Sequence, residues 1–284
     1  EPDHLRKLKD DAAARGIRIY IGVGSVAEGS TTFSKEHGNA DALLALGVRV
    51  AAAVGSPVVN CRIGAFPDRS TPGGIEARMD ELVRVLRAVR SRAQDAGVKF
   101  AVENHAGDLR SEEVLQVIQA AGTDVVGVML DPGNAVWAME DPMHQLDLLG
   151  RHVLCTSVRD YMVWETAEGA TFQWTALGEG LMDVPAFVGK MAELCPFAPL
   201  HLEIISNSPR PIPYLKPEYW KVYPHLRAAD IVRFLALCRR GRALKVETPP
   251  AGMNAREFDQ QHQRAELERS IVAARRHGAG LKSN

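Results

Sequence analysis

The sequence predicts an α/β protein whose parallel strands form a barrel. Short apolar runs typical of buried strands alternate with amphipathic, helix-length segments along residues 17–205. Three of these runs end in an acid, namely Glu103, Asp131 and Glu203. Because the carboxyl ends of parallel strands meet at one rim of a barrel, we expect these acids to line a shared mouth.

The composition is that of an ordinary globular protein. The chain has 284 residues, and its apolar content of 46% is enough for one large α/β domain or two small ones. Lysine and arginine number 34 against 35 for aspartate and glutamate. This balance does not indicate a polyanionic partner, so we expect no binding of nucleic acid.

The cysteines and the apolar segments bear on location. Cys61, Cys155, Cys195 and Cys238 are scattered and form no C-x-x-C pair, which favours reduced core thiols over disulfides or a metal site. No apolar run reaches the length of a membrane span, and the first residues resemble a charged helix rather than a signal peptide. We therefore expect a soluble cytoplasmic protein with no membrane partner.

The spacing of apolar residues predicts the first helices and strands. Apolar residues at helical intervals predict a helix over residues 4–15, and β-branched residues predict a strand over 17–23. The glycine-rich loop at 22–30 lacks the G-x-G-x-x-G pattern and is interpreted as a plain turn. A helix is predicted over 39–46 and a strand over 58–63. Arg62, near the end of this strand, could hold an anionic or hydroxyl-rich ligand or pair with an acid at the rim.

The middle of the chain has the strongest periodicity. Apolar residues from Ile75 to Ala93 fall at alternating spacings of four and three, which predicts a helix that ends at Gly97. A strand at 98–102 leads to Glu103. Ser111 then begins a second helix, which stops at Gly122, and a strand at 125–130 leads to Asp131.

The pattern continues to residue 205. Asp141 and Pro142 begin a helix, a strand follows at 152–158, and an irregular stretch contains Trp164, Gln173 and Trp174. A further helix starts near Asp183, and the last strand is predicted at 200–205. Six strands are two short of a closed (β/α)8 TIM barrel. The chain is therefore either shortened at its N-terminus or an unusual open barrel, and we expect the first, with one or two βα units missing before residue 1.

The segments after residue 205 predict a domain boundary and an oligomeric state. Residues 209–224 are rich in proline and aromatic residues and are interpreted as a loop over the barrel mouth or against a neighbouring subunit. Residues 228–240 predict the final barrel helix, and the charged residues 254–277 predict one more helix. We therefore expect a barrel domain at 1–245, a C-terminal helical extension at 246–284, and a homo-oligomer, either a dimer or a tetramer.

Three carboxylates at one barrel mouth would repel one another unless a cation lay between them. The oxygen-only set favours Mn²⁺ or Mg²⁺ over Zn²⁺ or Co²⁺, and such a metal can polarise a carbonyl while other acids move protons. Each acid alone could instead cap a helix, and Asp131 could form an Asx-turn. His105 is interpreted as either a substrate contact or a support, and His201 as a hydrogen-bonded core histidine.

These residues also match a known family. The segments that carry the resemblance are Val102-Glu103-Asn104-His105, Leu130-Asp131-Pro132-Gly133-Asn134, Val158-Arg159-Asp160-Tyr161, Leu177-Gly178-Glu179-Gly180 and Leu202-Glu203-Ile204. In their order and spacing, over residues 5–240, they resemble the xylose isomerase-like TIM barrel superfamily of sugar phosphate isomerases and epimerases. The resemblance implies that Glu103, Asp131 and Glu203 hold a metal. It also implies that the two glutamates exchange a substrate proton through an enediolate.

The sequence departs from the family pattern at one metal ligand. The family places a histidine in His-x-Lys-Asp, where this chain has Ser157-Val158-Arg159-Asp160. Three alternatives follow: three acids hold the metal with water or substrate completing its shell, another histidine such as His105 substitutes, or the site has lost its metal. Asn134 stands where epimerases of the family often have a substrate-contacting histidine.

Strand parity lets Arg159 point with Ser157 into the mouth, where it could pair with a substrate carboxylate or phosphate. We interpret the chain as a metal-dependent isomerase or epimerase of a small sugar or sugar acid. One alternative is a metal-dependent lyase, a decarboxylase or dehydratase of an oxo sugar acid. Another is a sugar-binding barrel without catalysis.

Overall fold

Helices and strands alternate through the first half of the chain in the computed structural model, which describes residues 2–279. The elements of this half are α1 (Pro2–Ala13), β1 (Ile21–Ser25), α2 (Ala40–Val54), β2 (Val58–Arg62), α3 (Gly74–Asp95), β3 (Lys99–Glu103), α4 (Ser111–Ala121) and β4 (Val126–Leu130). The predicted alternation is therefore found along this half. Residues 280–284 of the predicted extension lie outside the described residues.

The second half has a different make-up. Its elements are α5 (Pro132–Trp137), α6 (Pro142–Leu149), β5 (Val153–Thr156), β6 (Asp160–Thr166), β7 (Gly169–Thr175), α7 (Val184–Leu194), β8 (Arg210–Ile212), α8 (Val232–Arg240) and α9 (Ala255–Arg276). Short 3-10 turns at Phe66–Ser70, Gly150–His152, Pro217–Val222 and Ala228–Ile231 connect them. The chain divides into two compact units, residues 2–129 with 152–154 and residues 130–151 with 155–279.

The first unit is built on a parallel sheet. β1 pairs with β2, β2 with β3, and β3 with β4, all parallel, and β5 follows β4 in the strand order. Most residues of β3 and β4 are buried, as expected for parallel strands that helices cover. At Gly47 of α2, an added Cβ would lie 2.6 Å from Val23 Cγ1 and 3.0 Å from Val59 Cγ1. Only glycine therefore lets this helix lie so close to the sheet.

The second unit contains an antiparallel sheet that the sequence did not predict. The stretch interpreted as irregular forms a hairpin of β6 and β7, and β8 pairs with β7. Successive residues such as Phe172, Gln173 and Trp174 are all buried, so the hairpin shows no alternation of apolar and polar residues. That is why the pattern was missed.

The predicted strand at 200–205 is also corrected. Among the described residues of this run, Leu202 forms a single parallel bridge with Val158. The backbone of Val158 donates to the His201 carbonyl at 2.7 Å and accepts from the Glu203 backbone N–H at 3.0 Å. These contacts hold Glu203 in an extended segment of the second unit.

The helix predicted at residues 254–277 is observed as α9. Asn254 caps it by accepting from the backbone N–H of Arg256, and its buried residues are Glu266, Ser270 and Ala274. The Ser270 hydroxyl accepts from the backbone N–H of Leu177 at 3.0 Å. The helix thus packs on the loop after β7 in its own unit.

All four cysteines are buried free thiols, as the sequence predicted. Burial raises the pKa of Cys61 and of Cys238 to about 12, so both are inert thiols rather than nucleophiles. Among residues 2–279, no helix is both long enough and apolar enough to cross a bilayer.

Candidate active site

Asp131 begins the candidate site in the second unit. It follows β4 and caps α5, since its Oδ1 accepts from the backbone N–H of Asn134 at 2.9 Å. Its Oδ2 accepts from Asn134 Nδ2 at 2.7 Å. The sequence Asp131-Pro132 suits this role because proline at the first helical position needs no hydrogen-bond partner. Asp131 is fully buried.

Arg159 is the positive charge beside Asp131. Its Nε lies 3.1 Å and its Nη2 2.5 Å from Asp131 Oδ2, and both side chains are almost completely buried. Burial raises the pKa of Asp131 to about 6, although Arg159 and the Asn134 N–H act in the opposite direction. The pair is therefore a desolvated ion pair with additional hydrogen bonds.

Glu203 is the second acid of this unit. Its Oε1 lies 3.2 Å from Arg159 Nη1, and the Ser157 hydroxyl donates a hydrogen bond to its Oε2. A carboxylate oxygen of Glu203 and one of Asp131 approach within 4.8 Å. The Glu203 side chain keeps 32% of its surface exposed, so a small molecule can reach it, whereas Asp131 is closed off.

An aromatic cluster supports Arg159 and was not recognised from the sequence. The rings of Trp137, Phe172 and Trp174 lie 5.4–5.8 Å apart, mostly edge to face. The guanidinium carbon of Arg159 lies 4.1 Å from the centre of the Trp174 ring. At Gly133, an added Cβ would lie 2.6 Å from Arg159 Cγ. This packing restricts where the guanidinium can go.

The second unit also contains a polar cavity of about 600 Å³. Its walls come from the end of β7, the loop after it, residues 242–247 and α9, and they include Trp174, Asn207, Arg242 and Lys245. The volume falls in the range of small-molecule sites in proteins. Since Trp174 is part of its wall, the cavity adjoins the aromatic cluster that supports Arg159.

Glu103 lies at the end of β3 in the first unit and is buried. Arg62, the last residue of β2, places its Nη1 3.8 Å from Glu103 Oε2, and Asn60 Nδ2 lies 3.5 Å from the same oxygen. Arg62 is thus located beside an acid at the strand end.

His105 follows Glu103 in a tight loop. Its Nδ1 donates to the Gly64 carbonyl, which puts the lone pair of the neutral ring on Nε2. Its backbone N–H donates to Asp108 Oδ1 at 2.8 Å. Asp108 is fully buried, and burial raises its pKa to about 7. Asp108 was not predicted as a site residue, because nothing in the local sequence pattern distinguishes a buried acid in a loop.

The donors of the second unit fit a divalent cation in type. Asp131 and Glu203 offer carboxylate oxygens, which Mg²⁺ and Mn²⁺ prefer, and they approach closely enough to share one ion. Ser157 is a poor substitute for a histidine ligand because its hydroxyl already donates to Glu203. The guanidinium of Arg159 is the cation that now balances the two acids.

Comparison with known proteins places these residues in a family context. The family model described as xylose isomerase-like TIM barrel matches residues 1–211. A 3-oxo-isoapionate decarboxylase from Pectobacterium atrosepticum is 25% identical over 187 residues, which cover 65% of this chain and 60% of that protein. The chain therefore matches less than two thirds of the length of this curated relative.

Two solved structures illustrate the shared fold. The D-psicose 3-epimerase of Clostridium cellulolyticum H10, determined with D-tagatose, has a TM-score of 0.59 at 16% identity, over 96% of this chain and 84% of that one. A xylose isomerase-like TIM barrel protein from Mycobacterium smegmatis, determined with magnesium, has a TM-score of 0.54 at 14% identity, over 71% of each chain. At such identities the likeness establishes the fold alone.

Proposed function

Because this chain belongs to the xylose isomerase-like TIM barrel family, we propose that it is a metal-dependent isomerase or epimerase of a small sugar or sugar acid. The observation that carries the proposal is the approach of Asp131 and Glu203, two acids from different segments, to within 4.8 Å. Two carboxylates so close together need a positive charge beside them, which Arg159 supplies here and a divalent ion could supply instead, and a sugar-processing family provides a use for such an ion.

In this proposal, Glu103, Asp131 and Glu203 hold the metal, as the resemblance of their sequence segments implies. Oxygen ligands favour Mg²⁺ or Mn²⁺ over Zn²⁺ or Co²⁺. The metal, when bound, would polarise the carbonyl of the substrate and so make the neighbouring C–H bond more acidic.

The two glutamates are proposed to move the proton. Glu203 is partly exposed, and the Ser157 hydroxyl fixes the orientation of its carboxylate. Glu103 is proposed to act from the other side of the substrate carbon, through an enediolate of the substrate. Asp131 is fully buried, so its proposed role is to hold the metal and not to exchange protons with the substrate.

Asn134 offers a contact for the substrate. Its Oδ1 is buried and accepts no hydrogen bond from the described residues, while its Nδ2 donates to Asp131. A buried acceptor without a donor is unfavourable, and a sugar hydroxyl would satisfy it. Arg62, His105 and Ser157 remain proposed substrate contacts on the basis of their sequence positions.

A decarboxylase acting on an oxo sugar acid is the second candidate. Arg159 favours it, because a guanidinium next to the reacting group suits a substrate carboxylate. The similarity to a 3-oxo-isoapionate decarboxylase points in the same direction. Both candidates pass through the same kind of enolate, which forms by loss of a proton in one case and by loss of CO₂ in the other.

One experiment separates these candidates. The protein is incubated with Mn²⁺ or Mg²⁺ in D₂O with a panel of ketoses and oxo sugar acids, and deuterium incorporation and CO₂ are measured. Deuterium exchange without CO₂ supports the isomerase or epimerase, whereas CO₂ release supports the decarboxylase. Sugar binding with neither product would support the non-catalytic barrel. Glu203→Gln is the control that should abolish either reaction.

The cellular location, the oligomeric state and the domain boundaries are proposed from the sequence. The chain is proposed to act in the cytoplasm and to form a dimer or tetramer. The barrel domain is proposed to occupy residues 1–245, with 246–284 as a helical extension. Mass measurement in solution tests the oligomeric state, and limited proteolysis tests the domain boundary.

A further inference from the structure

The guanidinium of Arg159 lies where a cation would have to meet Asp131 and Glu203. Its Nε and Nη2 bind Asp131 Oδ2 at 3.1 and 2.5 Å, and its Nη1 lies 3.2 Å from Glu203 Oε1. One side chain therefore bridges two acids of the second unit whose carboxylate oxygens approach within 4.8 Å. Arg159 is buried, so its charge is not screened by water.

Asp131 has no oxygen lone pair to spare in this arrangement. Oδ2 accepts from Asn134 Nδ2 and from Nε and Nη2 of Arg159, and Oδ1 accepts from the Asn134 backbone N–H and, at 3.4 Å, from Arg159 Nε. A carboxylate offers about four lone-pair positions in total. A divalent ion that binds Asp131 Oδ2 must therefore displace a donor. The Asn134 contacts are made within the same helical turn, so the donor to be displaced belongs to Arg159.

We propose that Arg159 is an internal counter-ion that competes with the divalent cation for Asp131 and Glu203. This inference rests on the proposed metal site. Metal entry displaces the guanidinium from Asp131 Oδ2, and the displaced guanidinium becomes available to a carboxylate on the substrate. Acid recognition then depends on prior metal binding, which gives the site an order of loading.

If Arg159 instead supported the metal site, its removal would have the opposite effect on metal affinity. If Arg159 only held Asp131 in position for the metal, its removal would weaken metal binding by about 10- to 100-fold, as loss of supporting groups usually does. If Arg159 competes with the metal, its removal strengthens metal binding. The sign of the change therefore distinguishes a competitor from a support.

The test measures Mn²⁺ binding to the full chain after treatment with a chelator, with free Mn²⁺ followed by electron paramagnetic resonance. Arg159→Gln is expected to bind Mn²⁺ about tenfold more tightly than the wild type, because hydrogen bonds to charged groups no longer oppose the ion. Arg159→Lys keeps the positive charge but loses the bidentate geometry of the guanidinium. Its affinity for Mn²⁺ should therefore lie between those of the wild type and of Arg159→Gln. If Arg159→Gln does not fold, Arg159→Lys takes its place in the test.

Arg210→Gln is the matched control, since the Arg210 guanidinium carbon lies 5.5 Å from the centre of the Trp137 ring in the same aromatic cluster. This variant should leave the affinity for Mn²⁺ unchanged.

Trp174 supplies a second readout, because the Arg159 guanidinium carbon lies 4.1 Å from its ring centre. Mn²⁺ or Mg²⁺ should change the tryptophan emission of the wild type, and Trp174→Phe should remove that change. Equal or weaker Mn²⁺ binding by both Arg159 variants, or metal binding without a change in Trp174 emission, would overturn the inference while leaving the proposed function intact. If neither the wild type nor Arg159→Gln binds Mn²⁺, the metal site of the proposed function fails as well.

Discussion

Asp131 and Asn134 are joined by two hydrogen bonds, one from the Asn134 backbone N–H at 2.9 Å and one from its side chain at 2.7 Å. Both oxygens of the carboxylate are therefore oriented by the first turn of the helix that Asp131 begins. A carboxylate fixed in this way can bind a cation without itself moving, once the Arg159 guanidinium has left its Oδ2. The same two hydrogen bonds keep the Asp131 carboxylate from moving towards a cation, so the cation has to approach the carboxylate.

Asp131 is expected to stabilise the fold as the main partner of the buried Arg159 guanidinium, even though burial disfavours its own charge and raises its pKa. Asp131→Asn keeps the helix cap but leaves the buried Arg159 without its main partner. Breaking a buried ion pair from one side costs about 3–5 kcal/mol. We therefore expect a loss near the lower end of that range, because Glu203 still contacts Arg159. Urea unfolding measures it.

The control for this prediction is Asp141→Asn. Asp141 also precedes a proline and caps a helix, by accepting from the backbone N–H groups of Met143 and His144. Asparagine and aspartate cap helices about equally well, so the change should stay within about 0.5 kcal/mol. Similar losses in the two variants would contradict a special role for the Asp131 charge.

The Ser157 hydroxyl is expected to matter for turnover more than for folding. Ser157→Ala removes the hydrogen bond to Glu203 Oε2, while Glu203 remains accessible to water. Loss of a group that orients a functional carboxylate should lower kcat about 10- to 100-fold, with a small effect on stability. Steady-state kinetics with the substrate found in the D₂O experiment measures this.

Thr156→Val is the comparison for Ser157→Ala. The Thr156 hydroxyl donates to the Pro199 carbonyl and accepts from the His201 backbone N–H, both at 2.9 Å. Its removal leaves buried backbone groups unsatisfied and should cost about 1–3 kcal/mol of stability. We expect kcat to be preserved in this variant. A fall in kcat as large as that of Ser157→Ala would argue against a specific role for Ser157.

The parts of the fold that were predicted from sequence are those with a clear period. Helix α3 was expected from Ile75 to Ala93 and is observed from Gly74 to Asp95, because its apolar residues recur on one face. The β6–β7 hairpin was missed because it is buried on both faces around Phe172 and Trp174. Burial on both faces removes the alternation that signals a strand.

The candidate site was predictable in position but not in its contacts. An acid at the end of an apolar run can be recognised one residue at a time, as for Asp131 and Glu203. The pairing of Asp131 with Arg159, 28 residues away in sequence, depends on which side chains the folded chain brings together. No local pattern contains that information, so the competition between guanidinium and metal could be inferred only from the structure.

Glu203 is expected to be essential for the chemistry and nearly neutral for stability. Glu203→Gln keeps an oxygen that can accept from Ser157 but cannot take up a proton as a base. Loss of a general base typically lowers kcat about 10²- to 10⁴-fold. Deuterium exchange and steady-state rates test this, with Glu179→Gln as a control at an acid that pairs with Arg269 on the surface. Substantial activity in Glu203→Gln would assign the proton transfer to another group.

Asp108 is expected to make stability depend on pH near neutrality. Burial raises its pKa from 3.8 to about 7, although the N–H groups of Gly64, His105 and Leu109 act in the other direction. Between these two values the folded protein holds a proton that the unfolded chain has released. Stability should therefore fall by a few kcal/mol as the pH rises from about 4 to about 7.

Asp108→Asn isolates this contribution from that of the other acids. The variant cannot ionise, so the stability difference between wild type and variant should shrink as the pH rises through this window, and stay constant above it. Asp80→Asn, on the exposed face of α3, is the comparison variant for an acid outside the buried loop. Urea unfolding at a series of pH values measures both. A pH-independent difference for Asp108→Asn would show that this carboxyl is ionised in the folded protein, held by its three backbone N–H donors, and that its neighbour His105 lies next to a full negative charge.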